Sequence, residues 1–84
     1  MSKQKVELPA RHPMKGLTPV ELMADATAQG QMEDGLAKAR TSLEKAKNRA
    51  KSLYAQRVLQ DMKLQLLRCE KLSRRWDKYI QDAL

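Results

Sequence analysis

Two side chains in this sequence suit nucleophilic or acid–base chemistry near neutral pH. They are His12 and Cys69, each the only one of its kind. A His–Cys couple can raise a thiolate nucleophile, but nothing else in the sequence supports such a pairing. His12 stands beside Pro13 in a stretch with little periodicity. Cys69 falls within a helical pattern, where a cysteine is expected to act as a small buried apolar residue. One cysteine also rules out an intrachain disulfide. The sequence has no glycine-rich phosphate loop, no paired cysteines and no His/Asp/Glu cluster with metal-ligand spacing. No catalysis, metal, cofactor or small-molecule substrate is expected.

The chemistry that remains is charge. Net charge is +7, and it is unevenly spread. Residues 1–37 hold four bases and five acids, residues 38–57 seven bases and one acid (Glu44), and residues 58–84 six bases and four acids. The stretch "KAKNRAKSLYAQR", Lys45 to Arg57, holds five of those bases and no acid. Such a field attracts polyanions or acidic proteins. The candidate anion or nucleic-acid contacts are Lys38, Arg40, Lys45, Lys47, Arg49, Lys51 and Arg57. Asn48, Ser52 and Gln56 would be placed to reach base edges. No helix-turn-helix, zinc or RNA-binding signature accompanies them.

These residues must be positioned by helices. Ala, Lys, Arg, Leu, Gln and Glu dominate after residue 35, and all are good helix formers. "GLTPVEL" is a complete helix start: Thr18 as N-cap, Pro19 at the first position, and Glu21 closing a capping box. A short helix is expected from Pro19 to about Gln29, stopped by Gly30. A second is expected to begin between Gln31 and Leu36, with Glu33 and Asp34 in its first turn. No Gly or Pro follows Gly35, so it can run to Leu84 as one long helix, over about 33–84. A hairpin within that segment has no turn signal. The fold class is therefore all-α. An extended arm (1–17) precedes a single helical domain (18–84) with helical-hairpin or coiled-coil-like packing. The arm is either a loose tail or a peptide that lies along a partner, with Val6, Leu8 and Met14 as anchors.

At about 100° per residue, two apolar stripes run along the long helix. Leu36, Ala39, Leu43, Ala46, Ala50 and Leu53 form the first. Lys38, Lys45 and Arg49 line one flank, and Arg40, Lys47 and Lys51 the other. Like charges then disfavour a parallel homodimer through this seam. Antiparallel pairing with the less basic C-terminal half is better, and an acidic helix or a phosphate backbone better still. Beyond Leu53 the stripe rotates by about 120°, to Leu59, Met62, Leu66, Cys69, Trp76, Ile80 and Leu84, with Val58 and Leu72 widening it. Arg57 sits in the first seam and ends it. Two stripes suggest two contacts, one with the short helix and one with another chain, with a bend near residues 54–60 as the simpler alternative. "RRWDKYI" places Trp76, Tyr79 and Ile80 among basic residues, as a core cluster or a binding anchor.

The functional expectation is a non-enzymatic helical interaction subunit: an assembly factor, chaperone or adaptor. Its partner-binding residues would be Leu43, Leu53, Leu59, Met62, Leu66, Trp76, Tyr79 and Ile80. Its partner would be an acidic helical protein surface or further copies of itself. The alternative is a small basic DNA- or RNA-binding protein. No signal-peptide pattern or membrane-length apolar run occurs, so a soluble cytoplasmic location is expected and no membrane partner.

Overall fold

In the computed structural model, which describes residues 8–84, the chain is a helical hairpin. Helix α1 spans Pro19–Arg49 and α2 spans Leu53–Ala83. The two pack antiparallel, in a molecule of 62 × 21 × 20 Å. The all-α expectation holds, and the hairpin is the form it takes. Val6, one of the expected anchors, lies outside the described residues.

Helix α1 begins where its capping signals place it. The Thr18 hydroxyl accepts from the Glu21 N–H at 3.2 Å, and Glu21 Oε1 accepts from the Thr18 N–H at 2.9 Å. These bonds hold the Glu21 carboxyl below its ordinary pKa, the backbone bond contributing most.

The expected stop at Gly30 and restart near residue 33 do not occur. Gly30 and Gly35 are helical, and the space around each is open. Each costs roughly 1 kcal/mol relative to Ala, which is less than the packing of Gln29 and Leu36 against α2 contributes. Both of those residues are buried, so tertiary contact carries the helix through its weak points.

The chain turns instead at residues 50–52. Ala50 leaves the helix with φ −68° and ψ 130°, its N–H still donating to the Ala46 carbonyl. Ser52 then caps α2, its hydroxyl accepting from the Ala55 N–H at 2.9 Å. Lys47 and Arg49 in the last turn of α1 favour the negative end of its dipole. Part of the basic stretch thus has a local structural role. The single long helix is replaced by two of similar length, and the rotation of the apolar stripe after Leu53 is the mark of that turn.

The N-terminal segment is not an extended arm over its described part. Residues 8–18 run through short turns, with the N–H groups of His12 and Lys15 donating to the carbonyls of Pro9 and His12 at 2.9 and 3.0 Å. Gly16 supplies the one left-handed residue, at φ +86°. The turns fold Met14 onto Leu22 and Ile80, with Leu8, Leu17, Ala26, Trp76 and Tyr79 around them. Leu8 and Met14 therefore anchor to this chain's own hairpin.

Candidate interaction face

Each side chain's position on its helix decides what it can meet. From Leu22 through Gln29 and Leu36 to Leu43, α1 turns the same narrow stripe toward α2. Leu22, Gln29 and Leu36 are buried and Leu43 half-buried. Facing them on α2 are Leu59, Leu66, Ser73 and Ile80. The Leu36 and Leu43 part of the seam is thus covered by the C-terminal half of its own chain. Leu66 and Ile80 are core rather than free partner contacts, with Ile80 only 1% exposed. Leu53 falls out of the seam, because the turn places it at the outer start of α2, where it is exposed.

A polar node fixes the register. Gln29 Nε2 donates to Glu33 Oε1 at 3.0 Å and to Ser73 Oγ at 3.2 Å, while Ser73 Oγ donates to Glu33 Oε1 at 2.9 Å. Gln29 and Ser73 are both buried. Sliding one helix along the other would leave these groups unpaired, which costs about 1–3 kcal/mol for each. Periodicity alone did not reveal the node, because Gln and Ser break an apolar stripe.

At the open end of the hairpin, Trp76 Nε1 donates to Asp25 Oδ2 at 3.1 Å. Trp76 is half-buried and packs on the Met14–Leu22–Ile80 cluster. The His12 ring meets Tyr79 edge to face, with centroids 5.1 Å apart. His12 Nδ1 accepts from the Met14 N–H at 3.1 Å, and Nε2 lies 3.7 Å from the Asp82 carboxylate. His12 therefore tacks the N-terminal turns to α2. Cys69 is not part of this end, so no His–Cys couple forms.

Two helices in contact leave a groove on either side, and here the two differ. One is polar. Arg40 Nη2 meets Glu70 Oε1 at 2.6 Å, where Glu70, through its hydrogen bond and charge, holds the guanidinium pKa above its ordinary value. Glu70 thus pairs across the hairpin. Nearer the turn, Lys47, Asn48, Gln56 and Lys63 line a cleft together with Glu44.

The opposite groove is apolar and open, with a volume of about 770 Å³. Ala39, Leu43 and Ala46 form its α1 wall, and Val58, Met62 and Cys69 much of its α2 wall. Cys69 is exposed there, contrary to the buried position expected for it. The stripe of α2 has split: Leu59 and Leu66 turn inward, while Val58 and Met62 remain exposed beside them.

The hairpin also divides the basic residues. Lys38 and Lys45 lie on the outer surface of α1, beside Ala37, Thr41 and Ser42, and Arg49 is exposed in its last turn. Arg40 and Lys47 lie on the polar side. Lys51 belongs to the turn, and Arg57 to the outer surface of α2. Ser52 is engaged as a cap, whereas Asn48 and Gln56 share the polar cleft. Among the described residues, no group of three or more His, Cys, Asp or Glu is placed to hold a metal ion, and no helix is long and apolar enough to cross a membrane. Compared with protein-family models, curated proteins and solved structures, the chain matches none.

Proposed function

We propose that this chain is a non-enzymatic interaction subunit, an assembly factor, chaperone or adaptor, which docks another protein on the apolar side of its hairpin. One observation carries the reading. Among the described residues, five large apolar side chains are buried and eleven are exposed. Single exposed apolar residues are ordinary, but four of these are aligned. Tyr54, Val58, Met62 and Leu72 fall within a sector of about 80° on α2. Val58 and Met62 line the groove beside the low wall made by Ala39 and Ala46. An open apolar groove of this kind supports a contact surface.

The nucleic-acid reading has less support. Phosphate binding favours a continuous basic face, and here the bases are divided between two sides. Arg40 is paired with Glu70, and Glu44 stands in the polar cleft.

Purification of the chain from the cells that make it, beside a Met62→Lys variant, tests the choice. Met62 is 51% exposed, so the variant retains the hairpin. The expected result is a stoichiometric protein partner that the variant loses. Co-purifying nucleic acid, released by salt and unaffected by Met62→Lys, would favour the alternative.

A further inference from the structure

We propose that the N-terminal turns, residues 8–17, form a pH-operated strap. His12 holds it on the hairpin while the imidazole is neutral and releases it when the ring takes a second proton. This does not depend on the docking reading above. The described backbone hydrogen bonds of the strap stay within it: the N–H groups of His12, Lys15 and Leu17 donate to the carbonyls of Pro9, His12 and Met14. What holds it to the helices is the packing of Met14 on Leu22 and Ile80, and the seat of the His12 ring against Tyr79.

That seat accepts one protonation state. The His12 side chain is 8% exposed. Its Nδ1 accepts from the Met14 N–H at 3.1 Å, so the single proton of the neutral ring is on Nε2. Nε2 is buried and, among the described residues, has no hydrogen-bond partner. A second proton goes to Nδ1 and sets it donor to donor against the Met14 N–H. The Asp82 carboxylate of α2, 3.7 Å from Nε2, favours the cation. Asp82 is 47% exposed, however, and an exposed ion pair contributes little, less than a buried donor costs when it loses its acceptor. The other ionisable groups around the strap do not help the cation. Asp25 and Glu21 of α1 are engaged with Trp76 Nε1 and the Thr18 N–H. Arg75 and Lys78 share the Tyr79–Asp82 face of α2, and Arg11 and Lys15 stand beside His12 in the strap. All four are exposed cations, which favour a neutral ring.

The closed strap therefore binds one proton fewer than the open one, and closure strengthens as pH rises. Histidine changes charge between about pH 5 and 8. As pH falls through that range the strap lifts and bares Leu22 and Ile80, with Trp76 and Tyr79 beside them.

Trp76 is the chain's only tryptophan and packs on the cluster that the strap covers, so acrylamide quenching of its fluorescence reads the strap. The scan runs from about pH 8 to about pH 5.5, ending above the ordinary range of carboxylates. Quenching is expected to rise as pH falls, with closure weakening by up to about tenfold per pH unit and the circular dichroism of the hairpin unchanged. His12→Asn keeps an acceptor for the N–H two residues on but cannot titrate, and should stay closed throughout. Asp82→Asn should keep the transition. In a nitrogen–proton correlation spectrum of the wild type, the Met14 amide should shift with the same midpoint as the His12 ring, a test that needs no variant. Quenching that ignores pH in the wild type, or falls on acidification, would overturn the proposal. So would separate midpoints for Met14 and His12, a transition that persists in a folded His12→Asn, or one that Asp82→Asn abolishes.

Discussion

Ile80 and Met62 belong to one apolar stripe in the sequence and meet opposite fates in the fold. Ile80 is enclosed by Met14, Leu22 and their neighbours, whereas Met62 faces outward from the groove wall. Ile80→Ala should therefore destabilise the isolated chain by about 3 kcal/mol, the usual cost of an aliphatic core truncation. Met62→Ala should cost less than about 1 kcal/mol in the same urea titration. Similar losses from both would mean that Met62 is core and that the groove does not stand open. Glu21 gives a second residue-scale outcome. Its pKa is depressed in the fold, so its capping contribution is complete above the ordinary carboxylate range. That contribution disappears as pH falls through the lowered folded value. Comparing helicity on acidification between the wild type and Glu21→Gln isolates this step, which should be missing from the variant.

At the scale of elements, the start of α1 was legible because Thr18, Pro19 and Glu21 act locally and need no tertiary partner. Its continuation was not. Gly30 resembles a C-cap in isolation, and only contact with α2, made by residues more than 30 positions away, holds the helix through it. Gly30→Ala should raise stability by roughly 0.5–1 kcal/mol, because the added methyl meets no neighbour and improves helix propensity. A thermal melt checks this, and a loss of stability would imply a kink or cap at that position. The turn had a subtler signature. Ser52 is an adequate N-cap without a glycine or proline beside it, and the phase shift between the stripes was the stronger sign. A continuous helix would present the two stripes to different partners, and the turn instead lets them face each other. Of the expected seam, Leu36 and Leu43 face α2 of the same chain, whereas Ala39 and Ala46 wall the open groove and Leu53 starts the second helix. The apolar groove was only partly legible. Val58, Met62, Cys69 and Leu72 all read as stripe residues, but which of them turn outward depends on the axis along which α2 meets α1.

At the scale of the whole molecule, the hairpin is an asymmetric slab. One side carries the Arg40–Glu70 pair and a charged cleft, the other an apolar groove whose one charged lining residue is Asp61. A chain this small buries limited surface by itself, and its long, thin shape leaves that groove open. The N-terminal turns close only the open end of the hairpin, around Met14 and His12. The central claim is that the apolar side is free in the isolated chain and held for a different protein. The most direct test is the solution mass of the purified chain, by size-exclusion chromatography with light scattering at moderate salt. The account predicts the mass of one chain for both the wild type and Met62→Lys. A stable dimer that Met62→Lys reduces to a monomer would contradict it, because the groove would then already be filled by a second copy.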